Sequence, residues 1–190
     1  MQVDWAGNTI KRYDRYTAYT TDVYLFVAVL LCSCKAYVEA CENMKSKCWL
    51  NCHSHAYSYF GGVTRLLIPD NLKTGVVKNT RYETIINRSY QELAEYYGTA
   101  IVPCRVKCPQ DKSLAEGSVK YTFTWIIAVL KNRKFFSIQE IQEAVAEKLK
   151  ELNSYPFKKR EGIRNTAYLK EEKSFMKPLP LTPYEPAVWS

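Results

Sequence analysis

Three acidic side chains, Asp4, Asp70 and Glu116, form a set from which metal-assisted chemistry could be built. Carboxylate oxygens are the hard donors that Mg²⁺ and Mn²⁺ prefer, and two such cations held together activate an attacking oxygen and stabilise a leaving one in phosphodiester transfer. Asp4 stands between Val3 and Trp5 in what reads as a buried strand, where an uncompensated charge is costly. Asp70 follows Leu66-Leu67-Ile68-Pro69, and Glu116 lies between Lys112 and Lys120. The separations are 66 and 46 residues, so only a fold could bring the three together. Each acid also has an ordinary explanation. Asp4 could close a frayed strand, Asp70 could open a turn, and Ser113-x-x-Glu116 fits a capping box that would turn the carboxylate to its own helix.

Basic residues cluster near the later two acids. Lys120 is four residues past Glu116, on the same helical face, where it suits either a DNA phosphate or an ion pair with Glu116 worth about 0.3–0.5 kcal/mol when exposed. Lys73, Lys78 and Arg81 flank the stretch after Asp70, and serve either substrate or the solvation of a loop. Cys48, Cys52 and His55, with His53 nearby, share a helical spacing and invite a zinc reading. No CxxC pair supports it, Cys104 and Cys108 have no assured proximity, and cysteines at this spacing are more often core. No P-loop word is present around Gly61-Gly62 or Gly75, so ATP binding is not expected.

Length and composition bound the rest. The 190 residues suffice for one domain with a full core, and 47% apolar against 24% charged residues is an ordinary globular composition. The longest apolar run, residues 23–31, has nine residues where a bilayer needs roughly 20, and residues 1–4 contain nothing like a signal peptide. Seven cysteines, an odd count, read as reduced thiols in a cytosol. Net charge is +8, and residues 61–160 hold most of it, with 17 basic against 10 acidic side chains. A basic excess confined to the middle suggests a polyanion surface, nucleic acid above all, or a merely solubilising charge.

The elements that must position the acids follow from periodicity. Residues 2–10 read as a short strand, residues 11–22 as a hairpin connection or strand extension, 23–31 as a central strand and 35–41 as an edge strand, together an antiparallel meander. Cys48, Cys52, Ala56 and Phe60 recur every four residues before Gly61-Gly62, which predicts a helix with a glycine stop. Residues 63–68 read as a strand. Thr80-Arg81-Tyr82-Glu83 then fits a capping box for a helix whose inner face is Ile86, Tyr90, Leu93 and Tyr97. Residues 100–106 read as a fifth strand, a third helix follows Pro109, and Ser137-x-x-Glu140 opens a fourth. The order β-β-β-α-β-α-β-α-α predicts an α/β fold, a mixed five-stranded sheet with helices on both faces. The domain spans 1–155. Residues 156–190, with Pro178, Pro180, Pro183 and Pro186, read as an extended tail or linker.

Taken with this element order, Val3-Asp4-Trp5, Ile68-Pro69-Asp70-Asn71 and Lys112-Ser113-Leu114-Ala115-Glu116 resemble the DDE core shared by retroviral integrases and many bacterial transposases. Asp70-Asn71-Leu72-Lys73-Thr74-Gly75-Val76 and Tyr90-Gln91-Glu92-Leu93 resemble, more narrowly, the IstA-type insertion-sequence transposases. Integrase cores usually carry glycine soon after Asp-Asn, and Leu72-Lys73 departs from that pattern in the direction of the IstA branch. The resemblance covers about residues 2–155. It implies an RNase H-like fold, Asp4, Asp70 and Glu116 as ligands of Mg²⁺ or Mn²⁺, and hydrolysis at a transposon end followed by strand transfer to target DNA. It further implies an AAA+ helper ATPase, self-association and a place in the bacterial cytoplasm, and Lys120, Lys112, Lys73, Lys78 and Arg81, from their places beside the acids, are the candidate DNA contacts. DNA readers lie upstream of this core in the family, so the chain reads as a truncated or excised piece. The rivals are another RNase H-like nuclease and an inert DNA-binding or assembly module of the same fold.

Overall fold

The computed structural model describes residues 1–17, 19–69, 76–79, 84–102, 109–158 and 160–186, and of residues 76–79, 84–85 and 109–118 it describes the backbone. Strand β1 (Gln2–Trp5) and strand β2 (Ile10–Tyr13) both pair antiparallel with β3 (Thr20–Val29), Trp5 opposite Phe26 and Ile10 opposite Val23. The first strand foreseen from sequence is thus broken at residues 6–9, and the mixed sheet has six segments where five were expected. Strand β4 (Ala36–Cys41) lines β3 antiparallel. Helix α1 (Ser46–Phe60) crosses to β5 (Leu66–Pro69), which lies parallel to β1. A hairpin of β6 (Val76–Asn79) and β7 (Thr84–Ile86) follows, then α2 (Arg88–Tyr97) and β8 (Ala100–Ile101), parallel to β5. Helices α3 (Pro109–Leu130) and α4 (Ile138–Ser154) complete the α/β fold.

Strand β3 reads as an unbroken apolar run because both its faces are covered. Val23, Leu25, Val27 and Val29 pack with Val119, Ile126 and Leu130 of α3 and Ile141, Val145 and Leu149 of α4. Phe26 and Ala28 belong to the opposite cluster, with Trp49, Ala56 and Phe60 of α1 and Tyr90, Leu93 and Tyr97 of α2. The two-residue pleat assigns alternate side chains to opposite layers, and that assignment also governs Asp4.

Several boundaries differ from expectation. Helix α2 starts at Asn87, whose side chain accepts from the Ser89 amide at 3.0 Å, and Ile86 closes strand β7. The helix foreseen from Thr80 therefore begins later, and residues 80–83 lie outside those described. The fifth strand is seen at Ala100–Ile101, while residues 103–108 are likewise outside. The Ser137 cap is present, its Oγ accepting from the Glu140 amide at 3.1 Å, and the Glu140 carboxylate accepts from the Phe136 amide at 2.7 Å.

Residues past 156 are extended only in part. Helix α5 (Arg164–Ala167), a π-helical turn over Tyr168–Glu172 and a 3₁₀ turn over Lys173–Phe175 precede the proline-rich stretch. Lys177 then exchanges backbone hydrogen bonds with Val63, both 2.9 Å. Two glycines permit this docking: Gly61 ends α1 at φ 70°, and a Cβ on Gly62 would stand 2.9 Å from Met176 Cβ. Among the described residues no helix is long and apolar enough to cross a membrane.

Candidate nucleic-acid and metal site

Asp4 sits at the carboxyl end of β1, partly buried, with Oδ1 accepting from the Trp5 amide at 2.7 Å. Its register partner is Val27, which packs in the α3–α4 cluster, whereas Val3 and Trp5 belong to the α1–α2 cluster. The pleat therefore turns Asp4 to the sheet face that α3 covers. Helix α3 packs on β1 and β3, and its backbone carries Glu116 and Lys112.

The parallel register between β1 and β5 bears on the second acid. Gln2 pairs with Ile68 and Val3 with Pro69. Val3 immediately precedes Asp4 in the sequence, and Pro69 immediately precedes Asp70. Asp70 itself lies outside the described residues, as do Lys73 and Arg81; Lys78 has its backbone in β6. Of the foreseen site residues, side chains are described for Asp4 and Lys120.

Lys120 is exposed on α3 and lines a groove of about 340 Å³ with Gly7, Asn8, Thr124 and Lys131. The groove lies where the chain leaves β1, three residues beyond Asp4, so two lysines stand beside the sheet end that carries the acid. Lys131 and the connection at Gly7-Asn8 went unnoticed in the sequence. Lys131 is eleven residues past Lys120, three helical turns, and that spacing was the available signal.

The imidazole beside the cysteines at helical spacing serves the core, as that spacing suggested. His53 is fully buried between Phe26, Trp49 and Tyr90, donating from Nδ1 to the Trp49 carbonyl at 2.7 Å and accepting at Nε2 from the Tyr90 hydroxyl at 3.0 Å. Both ring nitrogens are used, which fixes the tautomer and removes His53 from metal duty. Desolvation holds its pKa at about 4, below the ordinary 6.5. Between those values the unfolded chain takes up a proton that the folded chain refuses, so stability falls as pH drops from about 6.5 to about 4. The loss is roughly 3 kcal/mol for a shift of this size. Urea unfolding with reductant and chelator should show the wild-type chain losing that much more than His53→Gln between pH 7 and pH 4.

Comparison with known proteins places the chain among relatives. No protein-family model matches it. It is 35% identical over 188 residues to a Sinorhizobium fredii protein named as transposase y4uI, covering 98% of this chain and 37% of that one. It is 36% identical over 183 residues to a Pseudomonas fluorescens protein named as the transposase of insertion sequence IS1162, covering 96% and 33%. The chain thus spans about a third of the length of these curated relatives. In three dimensions it resembles a chain of the simian T-cell lymphotropic virus intasome in complex with the PP2A regulatory subunit B56 gamma, with TM-score 0.62, 15% identity, and coverage of 98% of this chain and 59% of that one. It also resembles the catalytic core domain of BIV integrase, with TM-score 0.59, 16% identity, and coverage of 91% and 95%.

Proposed function

From a chain homologous to insertion-sequence transposases and folded as a retroviral integrase core is, we propose that it is the catalytic core of a DDE-type DNA transposase of the IstA kind. Asp4, Asp70 and Glu116 would be its metal ligands. The observation that carries this reading is the β1–β5 register: Val3 and Pro69 are paired, and each is followed in the chain by one of the two aspartates. The orientation of Asp4 toward the α3 layer, the helix in which Glu116 lies, supports it further.

The donor set suits a hard cation, being all carboxylate oxygen, and Asp4 is only partly buried although its strand is paired on both sides. Mg²⁺ or Mn²⁺ on these three acids would supply Lewis-acid polarisation of a phosphodiester and a more acidic attacking water. In the reaction proposed, water attacks the phosphodiester at a transposon end and frees a 3′-hydroxyl, which then attacks a phosphodiester of target DNA. What the chain's own groups do is orient and neutralise. The Trp5 amide fixes one oxygen of Asp4, and Lys120 and Lys131 present two positive charges along the groove to DNA phosphates. Partners in this reading are transposon-end and target DNA, an AAA+ helper ATPase of the same element, and further copies of the transposase.

Phosphate contacts without base readout give binding that weakens steeply with salt. Titrating a transposon-end duplex and a scrambled duplex across a salt series should show similar, weak affinities for both. Lys120→Ala should lower both equally and reduce the salt slope by about one. Tight, salt-insensitive binding to the end duplex alone would sink the proposed division between a reacting core and sequence readers elsewhere.

A further inference from the structure

The side-chain cluster that the proposed reaction leaves unused lies on the other face of the sheet. Cys41, at the end of β4, and Cys48 and Cys52, one turn apart on α1, place their sulfurs within 4.8 Å of one another. Cys41 Sγ and Cys52 Sγ are 3.3 Å apart. Cys41 and Cys52 are buried, and Cys48 is half-buried toward solvent. In a tetrahedral zinc site with Zn–S near 2.3 Å, sulfurs sit about 3.8 Å apart, a little beyond the 3.3 Å of Cys41 and Cys52 and inside the 4.8 Å that encloses all three. The triangle therefore needs only small rotamer adjustments to close on an ion.

We infer that Cys41, Cys48 and Cys52 form a thiolate site for one Zn²⁺ that fastens β4 to α1. Two buried sulfurs and a third at the protein surface give three ligands and one open side, through which the ion enters and where water completes the tetrahedron. Soft sulfur donors select zinc over the hard cations proposed for the carboxylates, so the two metals would not compete for one another's sites. His55, on the same helix beyond Cys52, donates from Nδ1 to the Glu39 carboxylate at 3.0 Å, so that nitrogen is engaged outside the sulfur triangle. Binding is balanced by release of the thiol protons to solvent. Sequence alone hid this site because Cys41 belongs to a strand, seven residues before Cys48, and joins the helical pair only through tertiary packing.

Co²⁺ added to the reduced, chelator-stripped chain tests the site, because thiolate ligation gives a near-ultraviolet charge-transfer band that carboxylate ligation does not. The expected result is saturation of that band at one equivalent, its bleaching by Zn²⁺, and a higher melting temperature with Zn²⁺ bound. Cys48→Ser, which alters the half-buried thiol, should lose the band while keeping the wild-type circular dichroism. Cys41→Ser should lose it too, and a Cys32→Ser, Cys34→Ser double variant should keep it. The inference is overturned by absence of the band in the reduced chain, by its survival in Cys48→Ser, by its loss on replacing Cys104 and Cys108 instead, or by formation of a Cys41–Cys52 disulfide that Zn²⁺ does not prevent.

Discussion

Asp4→Asn should abolish metal-dependent strand cleavage by this chain while leaving its fold intact. Asn keeps the size of the side chain and a carbonyl oxygen for the Trp5 amide, which Asp4 Oδ1 engages at 2.7 Å, so β1 loses nothing it needs for pairing. What it loses is the charge that would hold a cation. Even residues that only support a metal ligand cost ten- to a hundredfold when changed, so a ligand itself should cost more than about 100-fold. Cleavage of a duplex oligonucleotide in Mn²⁺, compared at matched protein concentration and matched melting temperature, measures it. An Asp4→Asn chain that cuts at a tenth of the wild-type rate or better would remove Asp4 from the chemistry.

The second large effect concerns the scaffold rather than the site. Trp49 is fully buried and touches Trp5, Phe26, His53 and Tyr90, with ring centroids 4.6 to 5.9 Å away. It joins α1 and α2 to β1, which carries Asp4, and to its neighbour β3. Trp49→Ala should cost about 3–5 kcal/mol through lost burial and the cavity left behind. For a chain of this length that lowers the melting temperature by roughly 6–20 °C. Leu181→Ala, at a fully exposed position, should leave it unchanged. Differential scanning calorimetry on the two variants distinguishes this from a general sensitivity to substitution.

Features set by neighbours in sequence could be read from it. The β3 run, the glycine stop of α1, the Ser137 cap and the alternating β-α order each depend on contacts within a few residues or on a period. Features set by partners far along the chain could not. Ile86 is in phase with Tyr90, Leu93 and Tyr97 and so extends the helical pattern backward, yet its backbone pairs with Val76 across a hairpin. The break at residues 6–9, which shifts the register of β2 against β3, is by contrast of the local kind, and Gly7-Asn8 is the signal that marks it. Residues 164–175 lack helical periodicity but are wound because Tyr168 and Met176 find cover against α1 and the sheet. For the site, the types and flanking words of the acids were legible in the chain. The turning of Asp4 toward α3 was not, since it follows from its pairing with Val27.

If Asp4, Asp70 and Glu116 share a divalent cation, a crystal soaked in Mn²⁺ will hold that ion between them. The expected result is anomalous density bonded to an oxygen of Asp4 and to carboxylates of Asp70 and Glu116, absent from a crystal of Asp4→Asn treated identically. Mn²⁺ bound elsewhere while this position stays empty, or Asp4 and Asp70 found on opposite faces of the sheet, would contradict it.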